Sequence, residues 1–279
     1  MKITLFGRAF LKTARDAFRK FFGAISERRP SRLAAKLHKE LRSDFRAELR
    51  DVKKSLRGVE RKLDILYADL HGMSFGERQI APSLQFIQGD HVNRYRLACQ
   101  SVRPADAVLD LGCGVGYGST MLAEKAASGK VLALDVCPDA IRYAKRHYTM
   151  PNIEYLVADC LSIDLPDDQY DVVTCFELIE HLREAGPLLA RASRWLKSEG
   201  TLVCSTPNEE VMPFDPSRFP YHCRHYASET FEALLREAGF RVERLFFQNR
   251  FVNFEFDDQG ERCFLVAVCR RAAASAAAA

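Results

Sequence analysis

The stretch that most constrains this chain runs from Val108 to Gly118, Val-Leu-Asp-Leu-Gly-Cys-Gly-Val-Gly-Tyr-Gly. An apolar run carrying Asp110 near its end predicts a buried strand, and the glycines at 112, 114, 116 and 118 predict the turn from that strand into a helix. Glycine suits such a turn because it adopts backbone angles that other residues resist, and because a ligand can then touch the main chain. A second apolar strand, Val131 to Leu134, ends in Asp135, about the spacing at which an acidic side chain meets a ribose in a dinucleotide-binding unit. Loop and acid together predict a nucleoside-binding βαβ unit.

The glycine spacing narrows the ligand. A pyrophosphate fingerprint, Gly-x-Gly-x-x-Gly, would need glycine at 117 or 119, where the chain has Tyr117 and Ser119. Asp110, two residues before the first glycine, would repel a pyrophosphate and attract a cation, by roughly 4 kcal/mol at about 4 Å and an effective dielectric near 20, before desolvation. The pattern Asp-x-Gly-x-Gly-x-Gly resembles the first motif of class I S-adenosylmethionine-dependent methyltransferases. That resemblance covers about residues 90–271 and implies a doubly wound, mostly parallel, seven-stranded Rossmann-like α/β sheet. It also implies S-adenosylmethionine as cofactor, with Asp110 facing the methionine end and Gly112, Gly114 and Gly116 lining the loop. Asp135 would stand at the ribose with Val136 also binding the cofactor, Asp159 and Cys160 near the adenine amino group, and Phe176 at the end of the fourth strand.

Outside that region the chain changes character. Residues 1–72 carry 19 Lys and Arg against 9 Asp and Glu, and the remainder carries 22 against 28. Two different surfaces follow. In 1–29, Ile3, Phe6, Phe10, Ala14, Phe18 and Phe21 share one helical face and Arg8, Lys12, Arg15 and Arg19 the other. This predicts a basic amphipathic helix over 1–22 that packs on protein or lies against an anionic membrane, and its composition also fits a mitochondrial presequence. In 30–72, Leu49, Val52, Leu56, Val59, Leu63, Leu66 and Leu70 follow a heptad register, which predicts a coiled-coil-like helix joining a second copy or a partner through 33–70. Residues 73–89 read as a linker and 272–279 as an Ala-rich tail. The nine cysteines are scattered with no Cys-x-x-Cys pair, which points to a reducing, cytoplasmic setting, peripheral to the inner face of the membrane if the first helix binds lipid.

Within the central region, 90–102 and 138–148 read as helices, and 153–158, 170–176 and 200–207 as strands. The helix at 90–102 is expected to be mainly solvated, with Arg94, Tyr95 or Arg96 able to reach the cofactor. A helix follows over 229–238, then two strands, 241–247 and 263–270, as an antiparallel hairpin at the sheet edge.

Chemistry concentrates after the fourth strand in Glu177-Leu-Ile-Glu180-His181. If a helix begins there at once, Glu177, Glu180 and His181 share one face. Similar segments occur in metal-assisted O-methyltransferases, among them small-RNA 2′-O-methyltransferases with a further His four residues before an aromatic, matched here by His222 and Tyr226. Three readings stay open at this point. Glu177, Glu180, His181 and His222 hold Mg²⁺ or Mn²⁺; or His181 acts as general base with Glu177 beside it; or the segment is structural.

Ser205-Thr-Pro-Asn208 together with His222 and Tyr226 looks most like enzymes acting on sugars or small metabolites. The Asn-Pro-Pro-Tyr segment of amide and base N-methylating relatives is missing, so a small-molecule or glycan oxygen is the expected acceptor. The alternatives are an inactive scaffold working through its coiled coil and an RNA 2′-O-methyltransferase. The acidic balance of the central region speaks against nucleic acid.

Overall fold

The computed structural model describes residues 78–81, 83–249 and 262–272, together with residues 48, 50–52, 54, 55, 58 and 59. The expected amphipathic helix, most of the coiled-coil-like segment, residues 73–77 and nearly all of the tail lie outside the described residues. The chain divides into a unit ending at Val59 and a unit beginning at Glu60. In the first, the described residues are helical, and Val52 and Val59 are exposed.

The second unit is built on a seven-stranded sheet. Its elements are α1 (Gly89–Ala98), β1 (Ala107–Leu111), α2 (Tyr117–Lys125), β2 (Lys130–Asp135), α3 (Pro138–His147), β3 (Ile153–Val157) and β4 (Tyr170–Phe176). After these come a 3-10 turn (Ile179–His181), α4 (Gly186–Trp195), β5 (Leu196–Pro207), α5 (Ser228–Glu237), β6 (Phe240–Gln248) and β7 (Phe264–Arg271). The order is β3-β2-β1-β4-β5-β7-β6, with β7 antiparallel to both β5 and β6 and the other pairings parallel. This is the expected Rossmann-like sheet. The last two strands pair antiparallel at the sheet edge, as expected, with β7 beside β5 and β6 outermost.

Strand alternation sends side chains to two cores. On one face Val108, Val131, Val172, Val203 and Val266 pack with residues of α1, α2 and α3. On the other, Leu109, Leu111, Val173, Leu202 and Leu265 pack with residues of α4 and α5. Both faces are therefore covered, which is why β1 and β4 read as nearly continuous apolar runs. Asp110 has the parity of Val108 and so points into the α1–α2 side. The described part of the segment expected as a linker is packed too: Ala81 and Ile87 are buried in the first core, and the Tyr148 hydroxyl donates to the Ala81 carbonyl at 2.5 Å.

Two of the loop glycines belong to this packing. A Cβ on Gly118 would lie 2.0 Å from the Tyr95 ring, and one on Gly116 would lie 2.7 Å from the Tyr155 hydroxyl and 2.8 Å from Ala144. Tyr95 cannot swing aside without releasing its hydrogen bond to Asp110. Gly118→Ala should therefore cost about 1–3 kcal/mol of stability, the usual penalty of overpacking. Gly114→Ala should cost about 1–2 kcal/mol through its φ of +56°, with the Arg78 stem at ordinary contact distance, and should remove cofactor binding, because its methyl enters the space above the loop. Thermal melts read beside calorimetry with S-adenosylhomocysteine check both.

Candidate active site

In open α/β sheets ligands bind beyond the carboxyl ends of the strands, where the strand order reverses. Here that point lies between β1 and β4, and nearly all of the site residues expected from sequence are found around it. The loop after β1 turns through positive φ at Gly112, Gly114 and Gly116. Gly112 backs onto Leu178, whose methyls would lie 3.2–3.3 Å from a Cβ there. Gly114 faces space crossed, among the described residues, by the Arg78 side chain, 3.9 Å from a Cβ position. Of the three glycines expected to line the ligand, Gly114 is the one with room above it, whereas Gly116 serves the fold.

Asp110 is placed differently from the expectation that it faces the cofactor. It is fully buried, and its carboxylate accepts hydrogen bonds from the hydroxyls of Ser119 (2.7 Å), Thr174 (2.7 Å) and Tyr95 (3.1 Å). Burial raises its pKa to about 6 against the pull of those three donors. Asp110 thus ties α1 and α2 to the strand pair beneath the loop. The sequence shows an acid before a glycine turn, but not the hydroxyls that the fold gathers around it.

Asp135, at the end of β2, accepts the Gly114 N–H at 2.9 Å and the Cys137 N–H at 2.8 Å, and it pairs with Arg78. Val136 beside it is 64% exposed, an apolar surface open to a flat base. Asp159 is exposed, and its Oδ1 accepts the Leu161 N–H at 2.9 Å. Cys160 is buried, which lifts its thiol pKa to about 12 and makes it an inert wall. Phe176 is buried edge-on to Tyr95, with ring centroids 4.9 Å apart.

At the end of β4 the chain departs from the expected helix. Glu177 sits at φ +49°, a left-handed conformation costly for a side-chain-bearing residue, and only a 3-10 turn follows. Glu177 is thereby separated from its expected partners. Its Oε1 accepts the Ser205 hydroxyl at 2.7 Å and lies 3.7 Å from Arg94 Nη1. Glu180, His181 and His222 do come together, each offering a ligand atom within 4.8 Å of the others. Of the four residues expected to share a metal, three form a cluster and Glu177 stands outside it.

Glu180 is fully buried. Oε2 accepts the Thr206 hydroxyl at 3.1 Å, while Oε1 has no hydrogen-bond partner among the described residues. Burial first, and the Glu177 charge second, push its carboxyl well above the usual range. His181 Nδ1 lies 3.0 Å from the Tyr221 carbonyl, which can only accept, so Nδ1 carries the proton and Nε2 the lone pair. The same logic runs through the loop. His225 Nδ1 donates to the Met212 carbonyl at 2.6 Å, and His225 Nε2 then accepts from His222 Nδ1 at 2.7 Å, leaving the His222 lone pair on Nε2. Burial, then His181 and His225, lower the His222 pKa to about 4, so this ring is neutral at pH 7.

The loop 208–227 is fixed over the turn by backbone bonds. Cys223 N–H donates to the Glu180 carbonyl at 2.7 Å, and Asn208 bridges to Tyr226. These contacts hold His222 against Glu180.

The sequence places Arg94 on a mainly solvated helix, but it is 1% exposed. It donates to the Gln248 side chain at 2.8 Å, stacks over Phe264 and lies between Asp90 and Glu177, with Nη1 and Nη2 making no hydrogen bond among the described residues. Ser205 and Thr206 read in the sequence as part of a motif, and the structure shows what they do: they hold Glu177 and Glu180. Arg78 and His225 are not foreseen, and neither carries a signal in a single sequence.

A family model described as a methyltransferase domain matches residues 109–204. This span contains the glycine loop, Asp135, Asp159 and the Glu-x-x-Glu-His turn. Over that span, about a third of the chain, the sequence is similar to a methyltransferase domain. The chain is 34% identical over 172 residues to a protein of Mycobacterium tuberculosis described as a probable S-adenosylmethionine-dependent methyltransferase, covering 59% of this chain and 60% of that one. It is 26% identical over 194 residues to a phosphoethanolamine N-methyltransferase of Arabidopsis thaliana, covering 66% and 39%. The chain thus spans less than two thirds of the length of these relatives. Among solved structures, the methyltransferase in a complex with the Haloferax volcanii Trm112 methyltransferase activator superposes with a TM-score of 0.57 at 21% identity, over 66% of this chain and 91% of that one. That likeness is one of fold. Among the described residues no helix is long and apolar enough to cross a membrane.

Proposed function

We propose that this chain is an S-adenosylmethionine-dependent methyltransferase acting on an oxygen of a small acceptor, a sugar or glycan hydroxyl or another small metabolite. The observation that carries the reading is the juxtaposition at the ends of β1 and β2. A main-chain turn open at Gly114 is hydrogen-bonded to the carboxylate of Asp135, with the exposed Val136 alongside. The residues present fit a nucleoside: a charged acceptor for ribose hydroxyls, an apolar surface for a base and an exposed carboxylate, Asp159, for an amino group. S-adenosylmethionine supplies the sulfonium methyl group. The chain's own residues bind, orient and exclude water, which is most of what such an in-line displacement needs.

The acceptor would lie over the ends of β4 and β5, where the loop 208–227 closes above Glu180 and His181. His181 Nε2, its tautomer set by the Tyr221 carbonyl, is suited to taking the hydroxyl proton as the methyl group arrives. A second reading draws on the buried cluster. Glu180, His181 and His222 would hold Mg²⁺ or Mn²⁺, and the unpartnered Glu180 Oε1 is the atom that would meet the ion. A His ligand whose other ring nitrogen donates to a backbone carbonyl is the usual outer-shell arrangement, as His181 has with Tyr221. Bound there, such a cation lowers the pKa of an acceptor hydroxyl.

A labelled-methyl screen against nucleotide sugars, lipid-linked glycans, quinones, small amines and RNA tests the main reading. Incorporation into amines would move the acceptor to nitrogen, as the name of the Arabidopsis relative suggests. Incorporation into RNA would select the RNA alternative, and cofactor binding without any transfer would leave a scaffold role. The metal reading expects Mn²⁺ binding by electron paramagnetic resonance in the wild type, and at least about tenfold weaker binding in Glu180→Gln, since loss even of an outer-shell partner costs roughly 10- to 100-fold. Full turnover in EDTA would remove the metal and leave His181 as base.

A further inference from the structure

Arg78, just ahead of α1, reaches across the glycine loop to the acid at the end of β2. Its Nη2 lies 2.7 Å from Asp135 Oδ1 and its Nε 3.3 Å from Oδ2. The Cγ and Cδ atoms of its stem both pass 3.9 Å from where a Gly114 Cβ would stand. The same carboxylate accepts the Cys137 N–H on Oδ1 and the Gly114 N–H on Oδ2.

A carboxylate offers about four lone-pair sites. All four are engaged here, two by main-chain donors and two by one guanidinium. A ribose held by Asp135 through two hydroxyls needs two of them. The donors of Gly114 and Cys137 belong to turns fixed by the strands, so they cannot yield without unmaking the loop. Arg78 can, because it is a side chain, 29% exposed, on the segment leading into α1. Its stem also crosses the space that the missing side chain of Gly114 leaves to a ligand.

We infer that Arg78 is a latch on the cofactor site: it holds Asp135 in place of the ribose hydroxyls when the site is empty and must withdraw before the nucleoside is seated. The inference rests on the methyltransferase reading. It explains how a nearly buried carboxylate, 4% exposed, is kept paired and oriented between turnovers without its ligand. It also makes cofactor entry an exchange of one charged partner for two neutral ones. Loading is then weaker than the site's contacts alone would give.

The test is isothermal calorimetry with S-adenosylhomocysteine on the full chain, wild type against Arg78→Ala and Arg78→Lys, alongside the arginine Nε–Hε nuclear magnetic resonance signals. Removing the latch should tighten binding about three- to tenfold, the range expected for a partly exposed, charge-assisted pair, with the lysine variant between the two. A protected Hε signal assigned to Arg78 should be present in the ligand-free protein, absent from Arg78→Ala, and lost from the wild type as the ligand is added. Equal or weaker binding by Arg78→Ala, or an Hε signal that survives saturation with ligand, overturns the latch while leaving the cofactor site standing. If no variant binds the ligand although the Hε signal is present, the methyltransferase reading itself fails and the latch falls with it.

Discussion

Asp135→Ala should weaken S-adenosylhomocysteine binding by about thirtyfold to several thousandfold in calorimetry. Two hydrogen bonds to a charged acceptor contribute roughly 1.5–3 kcal/mol each, and loss of the competing Arg78 pair returns about 1 kcal/mol of that. The substitution also frees the Gly114 and Cys137 N–H groups, so the loop loses the anchor that shapes its open face. Asp135→Asn separates the two effects, since one amide oxygen can still take a main-chain N–H while the charge is gone. Binding by Asp135→Ala equal to wild type would remove the nucleoside site from this place.

Asp110→Asn should stabilise the fold at neutral pH, by up to about 3 kcal/mol, and the gain should vanish in acid. Burial raises the Asp110 pKa from 3.8 to about 6, and each tenfold change in proton affinity is worth roughly 1.4 kcal/mol. Between those values the folded state binds more protons than the unfolded one, so this group's contribution is fully present below about pH 4 and is lost as pH rises through 6. Asparagine removes the titration and keeps the shape. The Thr174 hydroxyl can turn toward the Leu109 carbonyl, 3.5 Å away, and accept from the new amide. Urea denaturation at pH 4.5 and pH 8 gives the comparison. A stability difference independent of pH would mean that the three hydroxyls hold the carboxylate ionised at no cost. If the variant also weakens cofactor binding, the Asp110 charge acts on the ligand as well as on the fold.

Much of the fold was legible because its signals are local. Parallel strands buried on both faces must be continuously apolar, and the apolar run of β4 coincides with the strand it forms, Tyr170–Phe176. The acid at the end of β2 and the helix expected over 229–238, found at Ser228–Glu237, follow from short-range rules of the same kind. The order of the last two strands was not legible, since inserting β7 beside β5 is a pairing between residues about 65 positions apart. The active-site turn failed for a different reason. Spacing of three and four residues implies a shared face only in a helix, and the left-handed backbone at Glu177 breaks the helix before it begins.

What the sequence determined by itself is the frame proposed for a nucleoside, a glycine turn and an acid at the end of the next strand, because the backbone angles and strand ends involved are encoded within a few residues. Only the tertiary structure decided which charges meet. It buried Asp110 among three hydroxyls, brought His222 to Glu180 and His181 while parting them from Glu177, sank Arg94 beneath the crevice and laid Arg78 across Asp135. Those pairings join residues from 9 to 64 or more positions apart, and the side chains that make them have no periodicity to betray their partners. Their geometry exists only once the sheet has closed the distance.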